Sequence, residues 1–284
     1  MDVKFELYLN MPKKKKSSKP QQFQNRCVFC NGTSGLTKEH ILPNWLSKTY
    51  PDNSLQHPHI TGNLKGTAYG PKFNETRKYQ QGSVLQRKKR IVCGKCNSGW
   101  MSVIENNAKT LLVQMFNKEC FVFDEESRKI ISSWLMLSSI INEYTNTKNQ
   151  AITKEDREYL MNNKSAPNHF EVYVGYSSDT NKETRVWHSG TSFVLSDKHV
   201  PYAGTQKKNS QVTMIHLQNS IFVSRCCYID NVPFDNSGVI ENKFYKIWPL
   251  DRIEYKWPIN EHLNLADLEN VRHQFTSPQI KIVE

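Results

Sequence analysis

The sequence predicts an α+β protein with two domains, and three observations lead to this fold class. Two Cys-x-x-Cys pairs lie in the first hundred residues, apolar residues at helical spacing follow them, and aromatic and β-branched runs separated by turn signals fill the chain after Pro167. The chain has 284 residues, of which 37% are hydrophobic, so it can bury a sizeable core. Global disorder is therefore excluded.

Positive charge is concentrated in the first third of the chain. Residues 1–100 contain 18 Lys and Arg against 5 Asp and Glu, whereas the remaining 184 residues contain 20 against 22. This segregation favours a segment that contacts a polyanion, joined to a segment with another role. No apolar run is long enough to span a membrane, and the first residues lack the charge order of a signal peptide. We therefore expect a soluble, cytoplasmic protein without a membrane partner.

Residues 1–26 are predicted to be a basic, flexible arm, because they are rich in Lys and Gln and poor in large apolar residues. Four consecutive lysines are its candidate nucleic-acid contacts: Lys13, Lys14, Lys15 and Lys16. Lysines on such an arm bind phosphates without reading bases. A solvated tail with no partner is the alternative.

Four of the seven cysteines form two Cys-x-x-Cys pairs, Cys27 with Cys30 and Cys93 with Cys96. Two residues between thiolates allow one tight turn to aim both sulfurs at a single ion, and two such turns complete a tetrahedral site. We predict that these cysteines bind a structural Zn²⁺ and leave no open position for a substrate. Cys120 lies in an apolar run and is expected to pack in the core.

Between and after these pairs stands a second ordered set of residues: Glu39, His40, Ile41, Pro43 and Asn97. With the cysteines, this order resembles the HNH (ββα-metal) nucleases, and most closely the zinc-stapled branch that includes the phage Holliday-junction resolving endonucleases. The resemblance covers about residues 25–108. It implies that residues 27–118 form a zinc-stapled ββα-metal module that hydrolyses DNA phosphodiester bonds. It also implies a role in phage, mobile-element or anti-phage defence biology.

Phosphodiester hydrolysis explains why these residue types are needed. A neutral imidazole can remove a proton from water, so His40 is the predicted general base. Glu39 and Asn97 are predicted to hold a catalytic Mg²⁺ or Mn²⁺ through side-chain oxygens, because hard cations prefer oxygen ligands. Consecutive strand residues face opposite sides, so Glu39 and His40 can share a site only where their strand bends or ends. The family geometry implied by the resemblance has such a hairpin.

Alternatives stay open at these positions. His40 could be a structural histidine, and Asn97 could cap the helix that follows it. Glu105, the nearest carboxylate after Asn97, is expected to be a solvated helix residue. Trp100 stands where the resolving enzymes tend to carry another acid, which argues against junction resolution in particular. The module as a whole could also be a non-catalytic zinc ribbon that binds nucleic acid, or an RNase with the same residues.

Residues 50–90 are predicted to be a basic insertion within the module, since the segment between Ile41 and Cys93 exceeds the compact family core. Six basic residues in it are candidate nucleic-acid contacts: Arg77, Lys78, Arg87, Lys88, Lys89 and Arg90. Aromatic residues interleave with this charge, as in grooves that track a nucleic-acid strand. A solvated loop with a charged strand end is the alternative.

Residues 119–284 are predicted to be an α+β domain with helices first and a mostly antiparallel sheet after them. Helical spacing runs from Trp100 to Met115, a second helix over about 125–145 begins at the cap Asp124, and Thr153 begins a short third helix. Residues 168–257 should form an antiparallel sheet with a hairpin at Gln218-Asn219. The sequence contains no recognisable catalytic group there. A homodimer contact or a regulatory partner is a candidate role that the sequence does not decide.

Overall fold

Helices and antiparallel sheets alternate along the described part of the chain, so the predicted α+β class is confirmed. The structure is a computed structural model that describes residues 26–33, 35–51, 56–67, 70–147, 150–178, 184–191, 208–228, 238–264, 266–268 and 270–271, with only the backbone described between 56 and 80. The predicted arm with Lys13, Lys14, Lys15 and Lys16 lies outside these residues. No described helix is long and apolar enough to cross a membrane.

The N-terminal part is built on an antiparallel ribbon of two strands, β1 (Leu36–His40) and β4 (Lys88–Cys93). Leu36 pairs with Cys93 at one end and His40 with Lys88 at the other, with an irregularity between Thr37 and Lys38. A short helix, α1 (Asn44–Thr49), follows β1 and buries Leu46. The ribbon therefore joins the segment that carries Glu39 and His40 to the segment that ends in the second cysteine pair.

A helical segment follows β4 directly. It begins with a single turn, α2 (Gly94–Cys96), and ends as the longer helix α3 (Ser102–Phe116). The residues between them, Asn97–Met101, contain a kink at Gly99, whose backbone angles are not helical. The residues that α3 buries recur at helical spacing: Ile104, Ala108, Leu112, Met115 and Phe116. The helix predicted from Trp100 to Met115 is confirmed.

The insertion at 50–90 contains a long β-hairpin, which the sequence did not predict. Its strands, β2 (Gln56–Thr67) and β3 (Gly70–Gln81), pair along their whole length in antiparallel register. Arg77 and Lys78 lie in β3, where only the backbone is described. Their contacts with nucleic acid stay a prediction.

Two helices precede the C-terminal sheet. α4 (Glu125–Glu143) begins where the side chain of Asp124 accepts a hydrogen bond from the N–H of Ser127, and every residue from Ile131 to Glu143 is buried. α5 (Lys154–Asn163) begins where the hydroxyl of Thr153 accepts from the N–H of Asp156. Both predicted caps are confirmed.

The C-terminal sheet has five antiparallel strands in the order β10-β6-β9-β8-β7. Its strands are β6 (Phe170–Tyr176), β7 (Arg185–Thr191), β8 (Ser210–Leu217), β9 (Ser220–Cys227) and β10 (Phe244–Trp248). Gln218, with φ 54°, and Asn219 form the predicted turn between β8 and β9. The short helix α6 (Val239–Lys243) precedes β10, and β5 (Phe121–Phe123) pairs with β11 (Tyr255–Trp257).

One hydrophobic core contains residues from both sides of the predicted boundary at 118–119. It joins Val92 and Leu112 to Trp134 and Phe222, among many others. Side chains of the C-terminal part also bond the last turn of α3: the indole N–H of Trp257 donates to the carbonyl of Met115, and the amide of Asn219 donates to that of Phe116. The division into two domains stays a prediction, and the C-terminal part directly supports the end of α3.

Candidate functional site

The four predicted zinc ligands lie together in the structure. Cys27 and Cys30 belong to a turn near the start of the described residues, whereas Cys93 ends β4 and Cys96 ends α2. Their Sγ atoms are within 4.8 Å of one another, and those of Cys30 and Cys93 are 3.6 Å apart. In the first pair, the N–H of Asn31 donates to the carbonyl of Cys27, and the N–H of Cys27 donates to that of Gly32. Asn31, with φ 57°, makes this tight turn. The turn aims both sulfurs of the first pair at the second pair.

Sulfurs at this spacing can hold a metal ion. In a tetrahedral site with metal–sulfur bonds of about 2.3 Å, neighbouring sulfurs are about 3.8 Å apart. This spacing is close to the observed 3.6 Å. Three of the ligands are buried and Cys30 is exposed.

The prediction that Cys120 packs in the core is wrong, because this residue is exposed. It lies in the short connection to β5, after the turn in which Lys118 has a left-handed φ of 60°.

Two contacts hold the first cysteine turn, Cys27–Cys30, against the rest of the protein. The N–H of Val28 donates to the carbonyl of Ile91 in β4 at 3.0 Å, and the Nε of Arg157 in α5 donates to the carbonyl of Val28 at 2.9 Å. The same guanidinium also donates to the carbonyl of Ile152. The cysteine cluster and the C-terminal part therefore stabilise each other.

A pair of carboxylates lies between β1 and α3. Glu39 is only 5% exposed, and Glu105 in α3 is half-buried. Burial, and then the charge of Glu105, raise the pKa of Glu39 to about 8, although the N–H of His40 lowers it in part. Burial raises the pKa of Glu105 to about 7. Within the described residues, neither carboxylate forms an ion pair with a Lys or Arg.

Glu105 differs from the expectation drawn from the sequence. It was expected to be a solvated helix residue, but the structure places it close enough to Glu39 for its charge to act on that carboxylate. The available signal was its position next to Ile104, a buried residue of α3, because neighbours of a buried helical residue can reach the packed face. That signal does not specify Glu39 as the neighbour.

His40 is the last residue of β1 and is half-buried. Burial, and then the charge of Lys88, hold the pKa of His40 below its usual value of 6.5. The imidazole is therefore neutral near pH 7 and can accept a proton. The strand pairing places Glu39 and His40 on opposite faces of the ribbon. Both residues lie at the end of β1, and the end of a strand is one of the two places where neighbouring residues were expected to be able to share a site.

Asn97 lies at the start of the helical segment and contacts β1. Its side-chain N–H donates to the hydroxyl of Thr37 at 3.0 Å, and that hydroxyl donates to the carbonyl of Val92. Thr37 stands two residues before Glu39 on the same strand. This bond uses the nitrogen of the Asn97 amide, so the role of its oxygen as a metal ligand stays a prediction.

The basic residues that lead into Cys93 divide into two environments. Lys88 and Arg90 are exposed, whereas Arg87 and Lys89 are half-buried. Burial lowers the pKa of Arg87, and burial together with the charge of Arg87 lowers the pKa of Lys89. Residues 26–51 and 81–118 together carry ten Lys and Arg against the two carboxylates Glu39 and Glu105. These two ranges of the module are thus strongly basic.

No protein-family model, curated protein or solved structure matches this chain. The interpretation of the site therefore depends on its own geometry and chemistry.

Proposed function

We propose that residues 27–118 form a zinc-stabilised HNH-type endonuclease module that hydrolyses DNA phosphodiester bonds with a second, divalent metal. The observation that carries this proposal is the buried Glu39 next to His40 at the end of the β1–β4 ribbon, with no ion-pair partner among the described residues and with Glu105 near enough for its charge to act on it. The order of elements also supports the proposal. The antiparallel strands β1 and β4 are followed by the helix α3, as in the ββα-metal nucleases that the sequence resembles, and the two cysteine pairs lie before β1 and at the end of β4.

The carboxylate pair suits a hard cation. Burial raises the pKa of both carboxyls, and the charge of Glu105 raises that of Glu39 further. A divalent ion bound there would favour the ionised form of both groups. Glu39 and Asn97 would hold Mg²⁺ or Mn²⁺, and Glu105 is a third candidate ligand. A bound ion there would stabilise the negative charge of the phosphate during hydrolysis.

His40 would act as the general base. Its lowered pKa keeps the imidazole neutral at physiological pH, so it can take the proton of a water molecule as that water's oxygen bonds to phosphorus. The cysteine cluster has a different role, because four sulfur ligands leave no position for water or substrate. We assign zinc there, as a structural ion.

A nucleic acid is the proposed substrate because the described residues of the module carry many basic side chains and few acids, and DNA in particular follows from the resemblance to the HNH nucleases. Lys and Arg in such numbers neutralise backbone phosphates and give an affinity that depends on salt. A homodimer contact or a regulatory partner through residues 119–284 stays a prediction.

The proposal is tested by cleavage assays with zinc-loaded protein and added Mg²⁺ or Mn²⁺. Duplex, single-stranded and branched DNA are compared with RNA of the same sequences. We expect His40→Ala to cut DNA at least about 100-fold more slowly than wild type, because it lacks the base. His262→Ala is the matched control, since His262 is exposed and outside the site. Intact DNA in every reaction, or equal cutting by His40→Ala, contradicts the proposal, and preferential cutting of RNA favours the RNase.

A further inference from the structure

The pairing of β1 with β4 places the four consecutive basic residues 87–90 alternately on the two faces of the ribbon. Glu39 pairs with Lys89 and His40 pairs with Lys88, so each pair shares a face of the ribbon. The N–H of Ile41 donates to the carbonyl of Arg87 at 3.0 Å and extends this register by one residue. Because strand side chains alternate, Arg87 and Lys89 lie on the face of Glu39.

Burial follows the same alternation. On the Glu39 face, Ile41 is buried and Arg87 and Lys89 are half-buried. On the other face the three Lys and Arg residues are exposed and only His40 is half-buried: Lys38, Lys88 and Arg90 are the exposed ones. The face that carries Glu39 is therefore the one on which the protein removes cationic side chains from water. The exposed lysines and arginines of the other face are solvated by water, so their charge needs no bound partner.

Neither half-buried cation has an anionic partner within the described residues. The ion pairs there involve other basic residues, and Arg87 and Lys89 have no further contacts of this kind. Withdrawing a cation from water without pairing it costs free energy, and two neighbouring cations also repel. An anion bound between them would remove both costs.

We propose that Arg87 and Lys89 form an anion subsite that binds the non-bridging oxygens of a backbone phosphate next to Glu39. The planar guanidinium of Arg87 matches a phosphate with two parallel N–H donors, and Lys89 adds a point charge. This inference rests on the proposed function, because it places a backbone phosphate beside the proposed metal ligand Glu39. His40 pairs with Lys88 on the other face, and as the last residue of β1 it would reach this phosphate only around the end of the ribbon. Lys88 and Arg90, on the outer face, contact DNA only as part of the general cationic surface.

Binding measurements test the subsite without any need for cleavage. The dissociation constant of a fluorescent duplex is measured by anisotropy in buffer without added divalent metal, for wild type, Arg87→Gln, Lys89→Gln and the matched control Arg90→Gln. We expect Arg87→Gln and Lys89→Gln to weaken binding about tenfold or more, because each removes a charge-assisted contact with phosphate. Arg90→Gln should weaken it no more than about threefold.

Two further observations complete the test. Arg87→Lys should recover part of the lost affinity, since it restores the charge but not the two-donor fork. Thermal melting of each variant is compared with wild type, so that a loss of folding is distinguished from a loss of contact. Equal effects of Arg87→Gln and Arg90→Gln in folded proteins overturn the subsite. A protein that shows the predicted binding differences but cuts no DNA contradicts the proposed function and retains the subsite.

Discussion

Replacing Glu143 by Gln should stabilise the protein by an amount that increases with pH. Glu143 is fully buried at the end of α4, where one carboxylate oxygen accepts from the N–H groups of Ala151 and Ile152 and the other has no hydrogen-bond partner. Burial raises its pKa from 4.5 to about 7, although the two N–H donors oppose this. The folded protein therefore resists ionisation of this group.

The magnitude follows from the difference between the two pKa values. Between about pH 4.5 and 7 Glu143 holds more of its proton in the folded state than in the unfolded state, so the contribution of this group to wild-type stability falls as pH rises through this window. A difference of about 2.5 units corresponds to about 3 kcal/mol. Gln cannot ionise, so the advantage of Glu143→Gln should be near zero at about pH 4 and about 3 kcal/mol at about pH 8.

The assay is reversible urea unfolding of wild type and Glu143→Gln across this pH range. Weaker hydrogen bonds to the Gln carbonyl add an offset that does not vary with pH. The Nε2 of His188 lies 3.9 Å from Oε1 of Glu143, so a charge on that imidazole acts on the carboxylate of wild type but not on the neutral amide. Glu254→Gln, at an exposed position, is the matched control and should show no trend with pH. A stability difference between Glu143→Gln and wild type that is constant, or that shrinks as pH rises, refutes the reasoning.

Two other predictions concern the groups that hold the fold together. Arg128 is 2% exposed and donates to the carbonyls of Ile247, Asp251 and Ile253 and to the Asp251 carboxylate. Arg128→Met should therefore lower the free energy of unfolding in urea by about 3 kcal/mol, whereas Arg252→Met, at an exposed position, should change it by less than about 0.5 kcal/mol. Similar losses in the two variants would show that this network is not stabilising. Cys93→Ser should abolish zinc binding, measured as metal content per chain, and lower the melting temperature, whereas the exposed Cys120→Ser should retain the metal. Equal metal content in the two variants would exclude the four-cysteine site.

Local signals in the sequence were sufficient for the C-terminal elements. Asp124 and Thr153 were predicted caps, and both accept the expected backbone hydrogen bonds. The turn at Gln218-Asn219 and the strands on either side of it were also predicted, from their aromatic and β-branched residues. These features depend on residues within a few positions of one another, so the chemistry of the segment decides them.

Features that depend on contacts between residues far apart in the sequence could not be predicted from local signals. The long hairpin β2–β3 was missed because its glycines and prolines are typical of loops, whereas its stability depends on pairing along twelve residues of each strand. The proximity of Glu105 to Glu39 was missed because it depends on how segments 66 positions apart in the chain come together in the fold. The two cysteine pairs were predicted to meet because their ligand chemistry requires it, although 62 residues separate them.

The most direct test of the proposed nuclease is the initial rate of phosphodiester cleavage of duplex DNA in Mg²⁺ by zinc-loaded wild type and His40→Ala. We expect cleavage by wild type to require the added Mg²⁺, and we expect the initial rate to be at least about 100-fold lower in His40→Ala, although this variant keeps its zinc and its fold. Cleavage at the wild-type rate by His40→Ala, or no cleavage by either protein, would contradict the proposed function.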